Sequence, residues 1–185
     1  MARQLKRLDS NNTITAIRKD DKLFTSAKKI NDVFKKFYED LYTSTCSASD
    51  EDLNSFFQKV ELPQLFPEEK DSLDAPITEA EVRTAIKGMK TVNSPGIDGF
   101  PVEYYKRHVD VLCPFLTEVF QQAFQYGTLP ESLNKAIISL IPKKDKDTTD
   151  PANYRPISLI NVDCKILSKT LALRKKFLKL FTEIK

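Results

Sequence analysis

The 185-residue sequence contains no tryptophan, a single histidine (His108), four glycines and three cysteines. One histidine excludes a histidine-based catalytic triad and a zinc site built on paired imidazoles. Cys46, Cys113 and Cys164 are odd in number and far apart. That spacing excludes a disulfide framework and a close-set zinc motif, and predicts three small buried hydrophobes in a reducing compartment. No run of ~18 apolar residues is present, so no transmembrane helix is expected. The N-terminus is polar and basic without an apolar core, unlike a secretory signal. These absences predict an intracellular protein, in cytoplasm or nucleus, with no membrane partner.

The apolar and charged fractions, 41% and 30%, are those of an ordinary globular chain, which at this length holds one domain with a core, with or without an extension. The net charge of +3 is unevenly spread: residues 135–185 carry 12 basic and 5 acidic side chains. A polyanion is the natural partner of that quarter, and a solvated face the plain alternative.

Apolar periodicity divides the chain into elements. Residues 5–24 hold short apolar pieces broken by turn formers and read as small hairpins or an extended lead-in. Ala27, Ile30, Val33, Phe34, Phe37, Tyr38 and Leu41 share one helical face, with Ser26 as candidate cap. Leu53, Phe56, Phe57 and Val60 predict a shorter helix over 50–60, and a helical turn follows near Pro67–Leu73. Thr78-Glu79-Ala80-Glu81 is a capping box, with Ile77 and Val82 as its hydrophobic staple. A short helix fits Pro101–His108. A long one fits Val111–Tyr126, with Asp110 as N-cap and Gly127 as stop. Ala136–Ile141 and Arg155–Ile160 read as strands joined by a charged loop, and helical spacing resumes from Asn161 through Phe181. The fold class is therefore α+β, mostly helical, with a small antiparallel hairpin.

Three stretches carry candidate chemistry. In Ser94-Pro95-Gly96-Ile97-Asp98-Gly99-Phe100, glycines permit close approach or positive φ, proline restrains the turn, and Asp98 bonds nearby amides or caps the next helix. Taken alone it is most simply a helix–helix turn. Lys143, Lys144 and Lys146 follow one strand and Arg155 begins the next, so pairing of the strands collects point charges and a bidentate guanidinium at one end of the hairpin. Asp145, Asp147 and Asp150 partly neutralise that loop. Tyr154 is either a stacking ring or, as aromatics beside strands more often are, a core residue. Lys165 and Lys169 share a helix face that Arg174, Lys175, Lys176 and Lys179 extend, either as a backbone-tracking surface or as a solvated one.

The order of these pieces carries a resemblance. Residues 94–106 (SPGIDGFPVEYYK), 129–136 (LPESLNKA), 138–144 (ISLIPKK), 150–161 (DPANYRPISLIN) and Lys165-Ile166 together resemble the N-terminal part of a LINE-type (non-LTR retrotransposon) reverse transcriptase domain. The likeness covers roughly residues 78–173. It implies the fingers and the start of the palm of a right-hand polymerase, with residues 1–77 as a helical linker-like extension and 174–185 as a divergent basic tail. It implies that Arg155 and the lysines Lys143, Lys144 and Lys146 contact nucleotide phosphates. Ser94, Pro95, Gly96, Asp98, Gly99, Tyr154, Lys165 and Lys169 are then the template-side candidates. The implied partners are RNA or an RNA/DNA hybrid, a nucleoside triphosphate, and the palm segment of a parent enzyme.

The departure from that family is equally definite. Polymerases of this kind join nucleotides with two metal ions clamped by palm carboxylates. No Tyr/Phe-x-Asp-Asp motif occurs here, and the one adjacent pair, Asp20-Asp21, sits in a polar turn. The expectation is a fragment of an RNA-directed DNA polymerase that binds RNA or nucleotide without catalysing synthesis. It has no catalytic or metal-binding residues and no cofactor of its own, Mg²⁺ belonging to the missing palm. The competing expectation is a non-catalytic helical scaffold or an element relic. The fingers would normally pack on a palm, so Ile166 and Leu171 are expected to be poorly covered and the chain marginally stable.

Overall fold

The computed structural model describes residues 13–60 and 66–174. Seven α-helices and four strands lie within them: β1 (Ile17–Lys19), β2 (Lys22–Phe24), α1 (Ala27–Tyr42), α2 (Asp50–Gln58), α3 (Pro67–Asp74), α4 (Glu79–Lys87), α5 (Val102–Arg107), α6 (Val109–Tyr126), β3 (Ala136–Pro142), β4 (Tyr154–Ile160) and α7 (Val162–Leu173). Short 3-10 turns precede β3 (Glu131–Asn134) and β4 (Pro151–Asn153). The strands form two antiparallel two-stranded sheets, β1–β2 and β3–β4. The chain is mixed α and β and mostly helical, as its periodicity predicts. Among the described residues no helix is long and apolar enough to cross a membrane. The predicted apolar pieces before residue 13, and those after Arg174, lie outside the described residues.

The chain divides into two compact units. One joins residues 1–57 to 139–157, and the other joins 58–138 to 158–185. In the first, β1 and β2 pair with Ile17 opposite Phe24. Asp20 and Asp21 turn between them, both at positive φ, which aspartate tolerates better than most residues. Ile17, Ile30, Val33, Phe34 and Tyr154 form the core, flanked by Ile14, Phe24, Tyr38 and Leu140. The middle of the predicted α1 face is covered, with Ile30, Val33 and Phe34 buried and Phe37 and Tyr38 half-buried, while Ala27 and Leu41 at its ends are exposed. Ser26 stands at its N-cap without a side-chain bond.

The second unit is a helical cluster. Ile77, Val82, Ala85, Ile86, Val102, Tyr105, Cys113, Phe120, Val162, Ile166 and Leu167 bury one another between α4, α5, α6 and α7. Ile166 is fully buried here, against the expectation that it lacked cover. The packing of α7 on α4 supplies that cover, while Leu171 stays exposed. The capping box forms as written: Thr78 N–H donates to Glu81 Oε2 (2.9 Å), and Glu81 N–H donates to Thr78 Oγ1 (3.4 Å). The start of α6 differs from its prediction. His108 is the N-cap, and its carbonyl accepts from Leu112 N–H at 2.9 Å. Asp110 instead pairs across with Arg83. Gly127 closes α6 in the left-handed region at φ 65°.

The predicted shorter helix forms as α2 with its apolar stripe uncovered, and one further expectation, on the cysteines, is corrected. No residue of α2 is buried, and Leu53, Phe56, Phe57 and Val60 are all exposed. Helical spacing identifies an apolar stripe but not a neighbour to cover it. Cys46 is exposed, while Cys113 is buried and Cys164 half-buried.

Arg174, predicted to extend the basic surface of Lys165 and Lys169, is largely withdrawn from it. Its side chain is 12% exposed. Nε donates to Glu81 Oε1 (2.9 Å) and Nη2 to Glu81 Oε2 (3.2 Å), a two-point grip on the residue that closes the capping box. The same guanidinium donates to the carbonyls of Leu73, Ala75 (2.9 Å) and Pro76 (3.3 Å). It thereby ties the end of α7 to the start of α4 and the connection before it. For Glu81, burial is the largest influence and pulls its pKa upward, but the bonds from Arg174 and Thr78 outweigh it and hold the carboxyl below its usual range. A depressed folded pKa gives stability that is complete above the unfolded value, ~4.3, and fades as pH falls through the folded one. Glu81→Gln is therefore expected to flatten the loss of stability below about pH 4.3, measured by urea melts across pH 3–7. Arg174→Ala should cost about 2–3 kcal/mol at neutral pH in the same assay, because several bonds to a charged group are lost at once.

Candidate nucleic-acid interface

The predicted site residues fall in both units. The phosphate-side candidates lie in the first: Lys143, Lys144 and Lys146 on the loop between β3 and β4, and Arg155 near the start of β4. The hairpin is pinned at its mouth where Lys143 N–H donates to the Asn153 carbonyl (2.8 Å) and Lys143 Nζ to the Ala152 carbonyl (2.8 Å). Lys143 is thus engaged in closing the loop. Two of the loop's three acids, though exposed, bond to the loop itself. Asp147 Oδ1 accepts from Thr149 N–H and Oγ1, both at 2.8 Å, and Asp150 Oδ1 accepts from Ala152 N–H at 2.9 Å. Hydrogen bonds from the Thr149 amide and hydroxyl hold Asp147 below the usual carboxylate range. Asn153 Nδ2 adds a bond to the Asp147 carbonyl at 3.1 Å. Lys144, Lys146 and Arg155 remain exposed, and among the described residues none of the three side chains has an ion pair or hydrogen bond. The fold brings all three to one end of one hairpin.

Tyr154 holds this loop from beneath. Its ring is 5% exposed and meets Phe34 edge-on at 5.0 Å. Its hydroxyl donates to the Thr148 carbonyl at 2.7 Å, and burial raises its pKa. Of the two sequence readings for this ring, core residue and stacking platform, the geometry is that of a core residue.

The Ser94–Gly99 turn belongs to the second unit and is docked on the first turn of α7. Gly96 is buried, and a Cβ there would stand 2.5 Å from Asn161 N and 2.6 Å from Asn161 Cα. Only glycine fits that backbone-to-backbone approach. Asn161, itself buried, accepts at Oδ1 from Asp98 N–H (3.4 Å) and donates from Nδ2 to the Ser132 carbonyl (3.2 Å). Lys165 Nζ donates to the Ser94 carbonyl at 3.1 Å, bracing the other side of the turn. Asp98 bonds a nearby amide, as its position predicts, accepting from Phe100 N–H at 3.0 Å. Gly99 takes φ 74°, and Pro95 is half-buried. Lys169 lays its stem near Gly88 at the end of α4.

The electrostatics beside the turn are acidic. Burial, with Asp98 nearby, pushes the Asp163 carboxyl up, and burial with both carboxylates pushes the Tyr105 phenol up strongly. The unpaired positive charge is on the hairpin loop, and the close backbone fit is on the turn. Sequence reasoning identified both stretches but missed Asn161, the residue that locks the turn. The one available signal was a buried-type amide directly before an apolar helix.

The chain is 39% identical over 115 residues to the Transposon TX1 uncharacterized 149 kDa protein of Xenopus laevis, a match covering 62% of this chain and 9% of that protein. It is 30% identical over 95 residues to the putative 115 kDa protein in type-1 retrotransposable element R1DM of Drosophila melanogaster, covering 51% of this chain and 9% of that protein. Both are proteins of transposable elements. The similarity supports a retrotransposon origin for this chain, which spans 9% of the length of either relative. No protein-family model matches the sequence.

Replacement of Gly96 tests the lock. Gly96→Ala is expected to cost about 1–3 kcal/mol or more, because the new methyl meets Asn161 N and Cα as well as Oδ1, and the backbone atoms cannot swing away. Gly99→Ala, which meets no atom within 4 Å and is opposed only by its positive φ, should cost about 1–2 kcal/mol. Equal stability of Gly96→Ala and the parent in denaturant melts would remove the claim.

Proposed function

We propose that this chain is a fingers-bearing fragment of a LINE-type reverse transcriptase that holds RNA template and nucleotide phosphates and does not itself join nucleotides. The observation that carries this reading is the β3–β4 hairpin: three exposed cations without side-chain partners at one end, where two of the three loop acids, Asp147 and Asp150, are bonded to the loop's own backbone and Thr149 hydroxyl. Phosphate is the ligand chemistry suited to two point charges and a planar fork. In this reading Lys144, Lys146 and Arg155 meet the phosphates, while Lys143 and Tyr154 set the loop's shape. Ser94, Pro95, Gly96, Asp98 and Gly99 supply a template-side turn through their backbone. Lys165 braces that turn, and Lys169 adds a charge. The transposable-element relatives and the motif order support the same assignment. The chemical step would fall to palm carboxylates and Mg²⁺, for which these 185 residues carry no Tyr/Phe-x-Asp-Asp motif.

Fluorescence anisotropy with a labelled 20-nucleotide RNA across a salt series tests the binding claim. Each phosphate neutralised on a single strand contributes about −0.7 to the slope of log K against log salt. The triple variant Lys144→Ala, Lys146→Ala, Arg155→Ala is expected to lower the magnitude of that slope by roughly 2 and the affinity at low salt by at least tenfold. An unchanged slope in the folded variant would favour a scaffold role through the exposed face of α2. Primer extension with Mg²⁺ should give no product.

A further inference from the structure

A second surface of the helical unit has features of a nucleobase platform, and neither the motif order nor the resemblance assigns it a role. Phe100, Tyr104 and His108 recur every fourth residue from the turn after Gly99 through α5 to the start of α6. Their rings form a column: Phe100 and Tyr104 lie 4.7 Å apart at 30°, and Tyr104 and His108 lie 5.0 Å apart at 53°. Large aromatic groups are normally the ones a fold buries, yet Phe100 is 45% and Tyr104 37% exposed, and His108 is exposed too.

The column is held from behind. The buried Tyr105 meets Tyr104 edge-on at 5.6 Å. The Phe100 amide donates to Asp98, Tyr104 N–H to the Pro101 carbonyl (3.1 Å), and His108 N–H to the Tyr104 carbonyl (3.1 Å). The backbone carrying the three rings is therefore set before any ligand arrives.

Charge on the same short helix suits a polyanion. Arg107 is exposed and has no ion pair or hydrogen bond among the described residues, and Lys106 precedes it. The one acid of α5, Glu103, is occupied by the Val92 amide at 2.8 Å. Exposed aromatic rings beside cations are the combination that binds single strands without reading sequence, because every base has a π-face and every nucleotide a phosphate.

We propose that Phe100, Tyr104 and His108 form a stacking platform for the bases of single-stranded nucleic acid, with Arg107 and Lys106 meeting its phosphates. This deepens the reading given above, adding base contact to phosphate contact.

The absence of tryptophan makes the test direct, since Tyr104→Trp places a sole indole in the column. Its emission is titrated with dT12, with U12, and with a 12-mer of abasic deoxyribose phosphates. The expected result is quenching by dT12 and U12 but not by the abasic polymer, and the two pyrimidine strands compared tell DNA from RNA. In parallel anisotropy measurements on the parent chain, the abasic polymer should bind at least fivefold more weakly than dT12. Phe100→Ala is expected to lower dT12 affinity by about fivefold to a hundredfold, the usual loss per stacked base, while leaving abasic affinity unchanged. Circular dichroism establishes that each variant is folded, and Tyr104→Trp keeps a ring in place should Phe100→Ala fail to fold. Equal binding of abasic and base-bearing strands, with no quenching, would overturn the platform while leaving the phosphate reading intact. Failure of every polymer to bind at low salt would remove both.

Discussion

A backbone approach too close for a methyl group organises the helical unit. Gly96 rests against Asn161 at the entry to α7, and the Asn161 backbone and Oδ1 together fill the space a methyl would need. From that point Asn161 reaches the Asp98 amide on one side and the Ser132 carbonyl on the other. One buried side chain thus joins three segments distant in sequence: the turn before α5, the 3-10 turn before β3, and the first residues of α7. Lys165 repeats the connection one helical turn later. Arg174 makes a similar junction at the far end of the same helix. Held at both ends, α7 lies across α4 with Val162, Ile166 and Leu167 buried.

This division of labour separates structural cations from available ones. Lys143, Lys165 and Arg174 spend their donors on carbonyls or on Glu81, and so belong to the architecture. Lys144, Lys146 and Arg155 spend none. The two groups share a composition but not a task. Asp147 and Asp150 aim their oxygens at the loop's own amides and the Thr149 hydroxyl, so they shape the loop more than they cover its cations.

Local features were legible in the sequence and partnerships were not. The capping box at Thr78, the apolar face of α1, the stop at Gly127 and the two halves of the hairpin are written in neighbouring residues, and each forms. The α6 start slipped because Asp110 had two uses open to it. It serves Arg83, twenty-seven residues away, and leaves the cap to the His108 backbone. The stripe on α2 is visible as a stripe, but only tertiary structure shows that nothing described covers it. Arg174 was indistinguishable from the lysines that follow it, since a two-point bond to Glu81 depends on where the chain returns. The same limit applied to the candidate site: glycines and prolines announced a tight turn, whereas its docking partner lay sixty-odd residues downstream.

The first unit is assembled from two stretches of chain, residues 1–57 and 139–157, with the whole of 58–138 between them. Ile17, Ile30, Val33 and Phe34 come from the earlier stretch, and Tyr154 and Leu140 from the later one. On a ribosome adding ~5–20 residues each second, the early stretch therefore waits on the order of 10 s for its missing aromatic. Throughout that interval a nascent amphipathic helix presents Phe34 to whatever chaperone or neighbouring polypeptide is at hand. The order of synthesis, rather than the strength of any finished contact, sets how long these first-made residues go without their full set of neighbours.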